Sequence, residues 1–286
     1  MRLMNADDID KAREVQVSSF SDYGRRHGEE IPAEVPADAI ERQRGRFRHF
    51  VTNDPEGSWV AEVDGAVVGT ALALRRESLW GLSLLAVEPS YQSHGVGRRL
   101  LDATLGYADG VDTAVILSSQ DPRAMRAYAL AGFDLHPQVD AKGAVNRALL
   151  PRVPRVVEAD VSRAEWADEI DRMVRGAARG PDHQVLNMQA QMYVVDDADG
   201  RGYAYVRPDG RLVTVAATDD ETAAELLWRY LASDHPGEHG IDHITAGQQW
   251  AVKVALAARM RLSPAGPVYW RGRQPPRSYL PDGAYL

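Results

Sequence analysis

Cysteine is absent from the 286 residues, which excludes disulfides, thiolate metal sites and a cysteine nucleophile. Lysine stands only at 11, 142 and 253, so arginine carries nearly all the positive charge, which reads as genome composition rather than function. Positive charge is itself the minority: 33 Lys and Arg face 41 Asp and Glu, a formal net charge of −8. Nonspecific nucleic-acid binding normally needs a basic face, so no nucleic-acid partner is expected. An acidic surface instead favours cationic small molecules, weakly. No apolar run approaches the roughly 18 residues of a membrane span, and the opening residues Met1 to Asp8 hold no signal-peptide core. No membrane partner is therefore expected, and the expected location is cytoplasmic.

The chain is long enough for one large domain or two of ordinary size. Asp7 to Phe20 places Ile9, Ala12, Val15 and Val17 at roughly helical spacing behind an acidic start that suits a helix N-terminus. Ser21 to Pro36 is polar, breaks at two prolines and reads as a loop; Ala37 to Phe50 reads as a basic helix. Trp59–Val63 and Ala66–Leu74 are apolar runs joined by Asp64-Gly65, which predicts a hairpin. A strand at Leu79–Val87, a helix at Arg98–Tyr107, a strand at Thr113–Leu117 and a helix at Pro122–Ala131 ended by Gly132 complete the first half. This order predicts a mixed α/β fold whose mainly antiparallel sheet turns parallel near the strand at 79–87.

Pro151 to Pro154 is a candidate linker, after which the pattern restarts. A helix is predicted over Val161–Arg175, strands over Met192–Val195, Gly202–Val206 and Leu212–Ala216, a helix over Glu221–Leu231, a strand over His243–Ala246 and a helix over Ala251–Met260. Arg175 to His183 reads as a flexible polar segment, either a plain loop or a cleft lining. The halves align. Gly132-Phe133-Asp134-Leu135-His136-Pro137 matches Arg259-Met260-Arg261-Leu262-Ser263-Pro264 at an offset of 127, which also pairs Tyr128 with Ala255. Arg147–Pro151 matches Arg277–Pro281 at an offset of 130, and Val68–Leu72 sits beside Arg201–Tyr205. Duplication explains the agreement better than chance likeness of two α/β halves.

The chemistry lies in Leu84-Leu85-Ala86-Val87-Glu88-Pro89-Ser90-Tyr91-Gln92-Ser93-His94-Gly95-Val96-Gly97-Arg98-Arg99. A strand ends, a glycine-bearing loop follows and a helix opens. The N–H groups of a helix start and the positive end of its dipole make an anion site. Gly95 and Gly97 let main chain approach a bulky pyrophosphate. No Gly-Lys-Ser/Thr ending is present, so the loop is not a Walker loop, and a single Gly-x-Gly without a third glycine fails the dinucleotide fingerprint.

Gln92-x-x-Gly95-x-Gly97 after Leu85-Ala86-Val87-x-Pro89 resembles the acyl-CoA pyrophosphate loop of the GNAT superfamily of N-acetyltransferases. Asp121, Ala124, Tyr128 and Gly132-Phe133 resemble that family's second pattern of Asn, Ala, Tyr and Gly-Phe. The resemblance is clear over residues 1 to 150 and extends over 156 to 286 only as a fold. It implies an α/β (α+β) protein of two tandem GNAT folds, each a mixed, mainly antiparallel sheet flanked by helices. Residues 1–150 would bind acetyl-CoA and catalyse; residues 151–286 would be a degenerate copy, structural or shaping the acceptor site.

The resemblance further implies site residues. The main-chain N–H groups of Gln92, Ser93, His94, Gly95, Val96, Gly97 and Arg98 would cradle the pyrophosphate. The strand at Leu85, Ala86 and Val87 would hold the pantetheine arm, with an N–H near Leu85 polarising the thioester carbonyl. The side chains of Arg98 and Arg99 are open between outer phosphates and a solvated helix face. Tyr128 would be the general acid that protonates departing CoA thiolate, or else a tyrosine packed in the core on the sheet. Asp121 stands where the family has Asn, lacks the amide donor and puts negative charge by the cofactor.

The reaction implied is direct transfer of acetyl from acetyl-CoA to a primary amine of a small molecule, with no metal. Leu82 to Val87 bears no acid, so the base is sought among Glu77, Glu29, Glu30 and His27, each also an ordinary loop charge. The second half has Thr218-Asp219-Asp220-Glu221-Thr222-Ala223-Ala224 where the loop should be, three carboxylates that would repel phosphate. A protein N-acetyltransferase and a non-catalytic acyl-CoA sensor are the competing readings. A homodimer is left open.

Overall fold

The computed structural model describes residues 1–28, 35–234 and 237–286. Two compact units emerge: Met1–Arg75 with Leu79–Ala114, and Arg76–Ser78 with Val115–Leu286.

The first unit opens with β1 (Arg2–Leu3) and a turn boxed by Asn5 and Asp8, in which Asn5 Oδ1 accepts from Asp7 N and Asp8 Oδ2 from Asn5 N, each at 2.9 Å. Then come α1 (Ile9–Arg26), α2 (Ala37–Asn53), β2 (Ser58–Val63), β3 (Ala66–Arg76), β4 (Leu79–Val87) and α3 (Val96–Leu105). Helix α1 does not stop at Phe20. It continues through the start of the expected loop, helped by an Asp22–Arg26 ion pair at 2.9 Å, with no proline before residue 32 to end it. The hairpin is as expected: Asp64 and Gly65 both adopt positive φ, 50° and 79°, the twist that a two-residue turn between antiparallel strands needs. The strands run in the order β1-β2-β3-β4.

Helices α1 and α2 bury Ala12, Val15, Phe47 and Phe50. Helix α3 packs Val96 and Leu100 with Ala61, Val68, Ala71 and Val87. That approach requires glycine at 69, where a Cβ would come within 2.9 Å of Leu100 Cδ1.

The second unit takes up the chain within β5 (Thr113–Leu117). It continues through α4 (Pro122–Leu130), β6 (Asp134–His136), β7 (Gln138–Gly143), β8 (Val157–Ala159), α5 (Ala164–Val174), α6 (Asp182–Gln189) and β9 (Gln191–Asp196). There follow β10 (Arg201–Val206), β11 (Leu212–Ala217), α7 (Asp220–Leu231), β12 (His239–Thr245), α8 (Gln249–Ala257), β13 (Arg261–Pro264), β14 (Val268–Gly272) and β15 (Tyr279–Leu280). One sheet has the order β15-β11-β10-β9-β8, with α7 and α8 supplying Leu226, Leu227, Tyr230, Trp250 and Val254 to its core.

The remaining strands interleave the two sequence halves. Strand β14 lies between β5 and β6, while β7 lies between β12 and β13. Val268 pairs with His136 and Trp270 with Asp134; Lys142 faces both Gly240 and Arg261. At the offset of 130, residues 138–143 of β7 line up with β14, and each of the two strands lies between strands of the other sequence half. Gly266 makes the crossing possible, since a Cβ there would lie 2.0 Å from Ser118 O. The expected division at 150/151 and its linker at 151–154 fall inside this unit.

Residues 175–183 are not the flexible polar segment their composition suggests. Arg179, Asp182 and His183 are fully buried, and α6 begins at Asp182. The burial is tolerated because the charges meet partners. Arg179 donates from Nε to Tyr203 Oη (3.0 Å), from Nη1 to Tyr285 O (3.1 Å), and from Nη2 to Tyr279 Oη (2.8 Å) and Thr214 Oγ1 (3.1 Å). Asp171 accepts from Tyr203 Oη at 2.6 Å and sits 3.1 Å from His183 Nε2. Arg76 grips Asp182 through both carboxylate oxygens, at 2.9 and 2.6 Å. Burial opposes ionisation of Asp171, but Arg179, His183 and Arg175 outweigh it and hold the carboxyl below its ordinary range.

Candidate active site

Strand β4 ends at Val87, and the chain turns through Pro89–Tyr91 into the loop before α3. Three hydrogen bonds fasten the turn: Glu88 N to Val68 O (2.9 Å), Tyr91 N to Glu88 O (2.8 Å) and Ser18 Oγ to Glu88 Oε1 (2.8 Å). The Gln92 amide returns from Nε2 to Val87 O at 2.9 Å, tying the loop to the strand end. Gln92 N itself donates to Pro89 O at 3.3 Å. Its main-chain donor thus lies within the turn, and its side chain ties the loop to the strand end.

Ser93, His94 and Gly95 are exposed. Ser93 (φ 64°) and Gly95 (φ 79°) are left-handed, which for a serine costs about 1–2 kcal/mol and marks a loop held for a purpose. Gly95 is the N-cap of α3, and no side chain caps that helix. Its first-turn N–H groups and positive dipole end open at an exposed loop. A Cβ on Gly95 would meet nothing within 4 Å, and one on Gly97 only Val87 Cγ2 at 3.6 Å, so both glycines leave open space over the helix start. Val96 is turned inward and buried. The arrangement can hold a phosphate by main chain alone. Arg98 pairs with Asp102 one turn on, Nε lying 2.8 and 3.0 Å from its oxygens, so this side chain belongs to the solvated helix face.

The start of α7, where the sequence alignment sets the second half's loop, is built the other way. Asp219 caps α7, accepting from Thr222 N and Thr222 Oγ1 at 2.8 Å each. Asp220 accepts from Ser278 Oγ at 2.7 Å and from Arg277 at 3.3 Å. A groove of about 580 Å³ lies here, between Met173, Val174, Ala217, Thr218, the two aspartates, Arg277 and Ser278. Two carboxylates line this helix start.

The profile of the Acetyltransferase (GNAT) family matches residues 21–133. This segment is a GNAT acetyltransferase domain. A putative acetyltransferase from Pyrococcus horikoshii superposes with a TM-score of 0.77 at 18% identity, over 99% of this chain and 94% of that one. A GCN5-related N-acetyltransferase from Sphaerobacter thermophilus gives 0.57 at 13% identity over 96% of each chain. Another from Kribbella flavida gives 0.56 at 14% identity over 94% and 70%. At these identities the likeness is one of fold: mixed α/β, with mainly antiparallel sheets flanked by helices. By sequence, no curated protein matches the chain.

The other expected GNAT residues lie on α4, in the second unit. Tyr128 is buried, its ring edge-on to Tyr269 of β14 at 5.4 Å. Burial drives its phenol well above the ordinary value, so it is fully protonated at neutral pH. Asp121 is the N-cap of α4: Oδ1 accepts from Arg123 N at 2.9 Å, and Oδ2 pairs with Arg123 Nη2 at 2.6 Å. Asn would cap equally well; what suits a carboxylate here is the Arg123 pairing.

Of the base candidates, Glu77 accepts from Arg172 Nε (2.9 Å) and Ala178 N (3.1 Å) and is structural. His27 closes α1, with Nδ1 2.8 Å from Tyr23 O. Glu29 and Glu30 lie outside the described residues. Sequence reasoning missed Tyr269 as a neighbour of Tyr128, because only the strand exchange brings it there. It also missed the returning Gln92 amide, which follows from no local pattern.

Proposed function

We propose that the chain is an N-acetyltransferase with one working site, moving acetyl from acetyl-CoA to a primary amine of a small molecule. The observation that carries this is the uncapped start of α3 behind the exposed, left-handed Gly95, inside the family's own loop motif. Ser93 to Arg98 hold the pyrophosphate by main chain, and Leu85, Ala86 and Val87 line the pantetheine arm with their strand edge. The tetrahedral oxyanion is met by a β4 amide near Leu85. The amine nitrogen bonds to the acyl carbon to give that oxyanion; as it collapses and the C–S bond breaks, Tyr128, kept protonated by burial, gives its proton to the departing thiolate, and the proton lost by the nitrogen passes through water to the tyrosinate.

Residues 1–150 and 151–286 are copies of one fold, the second without a donor site because Asp219 caps α7 and Asp220 lines its groove. An acyl-CoA sensor remains the second reading, favoured by the lack of any acid over Leu82–Val87 and by the structural engagement of Glu77. Thiol release from acetyl-CoA over polyamines, amino acids and aminoglycosides separates the two. An enzyme releases CoA with at least one amine and Tyr128→Phe lowers kcat about 10²-fold with little change in KM; a sensor binds acetyl-CoA and releases none.

A further inference from the structure

One contact inside the first unit is unusual for a strand. Arg46 on α2 reaches Ser83 in the middle of β4. Its Nε donates to Ser83 Oγ at 3.0 Å, its Nη2 to the same oxygen at 2.6 Å, and Nη2 also to the Ser83 main-chain carbonyl. The guanidinium thus seizes side chain and backbone of one residue together. Its origin is firm, because Phe47 and Phe50 on the same helix are fully buried. Ser83 is buried as well, so the contacts are shielded and each is stronger than it would be in water.

The consequence follows from peptide geometry. The Ser83 carbonyl and the Leu84 N–H belong to one planar, trans unit, so fixing the oxygen fixes the direction of the Leu84 amide. Leu85, where the acyl carbonyl is expected to be polarised, begins one peptide later. Oxyanion donors act by being pre-aimed, and misplacing one by a fraction of an ångström removes much of its effect. We infer that Arg46 is a positioning residue: through Ser83 it sets the stretch of β4 whose amides meet the acyl oxygen, and so controls turnover and preference for acylated over free CoA, not grip on the carrier's phosphates. This rests on the function proposed above. The phosphate loop has its own fastenings at Val68, Glu88 and Gln92, none of which involves Arg46.

The test uses the full chain and four variants: Arg46→Met, Arg46→Lys, Ser83→Ala and Gly97→Asp. Calorimetry gives Kd for CoA and acetyl-CoA, and thiol release gives kcat. Arg46→Met is expected to lower kcat at least ~10-fold and to shrink the acetyl-CoA/CoA affinity ratio, with Kd for CoA within twofold of the parent. Arg46→Lys, which still donates to the carbonyl, is expected to recover part of the loss, which a packing role would not predict. Ser83→Ala is expected to lose about threefold, since one of two anchors remains. Unchanged kcat and affinity ratio in Arg46→Met, or CoA affinity falling in step with kcat, overturns the inference alone. If Arg46→Met does not fold, Ser83→Ala decides, and unchanged values there overturn it. If no amine is acetylated, the affinity ratio is the readout. Absence of CoA binding by the parent, or binding undiminished in Gly97→Asp, sinks the proposed function and this inference with it.

Discussion

Gly97 is a position where a side chain fits but a charge should not. A Cβ there meets only Val87 Cγ2 at an ordinary 3.6 Å, so Gly97→Asp should leave the thermal midpoint almost unmoved. A carboxylate at the helix start should still repel a pyrophosphate. Tyr128 is the converse case, buried against Tyr269, where loss of the hydroxyl changes chemistry more than packing. The glycine-bearing turn into a helix was legible in the sequence, because motif spacing depends on local backbone needs: left-handed glycine at 95 and a helix opening at once after it. Asp121 was legible as a departure from the family but not as a cap, since the Arg123 pairing that explains it depends on side-chain rotamers.

Elements with a strong period were readable almost to the residue. Leu79–Val87 and Thr113–Leu117 are β4 and β5 as expected, because continuous apolar runs bounded by turns have no competing amphipathic solution. The segment 175–183 misled because polarity ordinarily means solvent. Here two arginines, two aspartates, a histidine and two tyrosines satisfy one another inside the second unit. Composition cannot reveal such pairing, since the partners come from α5, β10 and β15.

The cluster makes a prediction of its own. Asp171→Asn leaves Arg179 and His183 facing a neutral amide and should destabilise the fold by about 3–5 kcal/mol, measured by denaturant unfolding at neutral pH. The sign with pH follows from the depressed pKa of Asp171. Its contribution is complete above the unfolded value of about 4 and is lost as pH falls through the lower native value. The stability gap between parent and variant should therefore narrow below about pH 4; a gap constant with pH would refute the ionic account.

At the scale of the molecule, the proposed repeat rests on the offsets of 127 and 130, and these do not reveal that β14 lies between β5 and β6 or β7 between β12 and β13. Sequence shows which strands correspond, not which partner each chooses, and an exchanged strand carries the same pattern as an unexchanged one. The exchange bears on whether the halves are independent. A chain ended after residue 150 lacks β14 and exposes the edges of β5 and β6; one begun at 151 lacks β7 between β12 and β13. Neither fragment should show a cooperative melt alone, and the two co-expressed should copurify. A fragment 1–150 melting near the parent's midpoint would show that the exchanged strand is dispensable.

The proposed activity turns on one working phosphate cradle. Titrating CoA calorimetrically into the full chain, and into Gly97→Asp at matched thermal stability, tests it most directly. One CoA per chain, with affinity at least ~10-fold weaker in the variant, is the predicted result. Two per chain, none, or an affinity indifferent to the aspartate would contradict it.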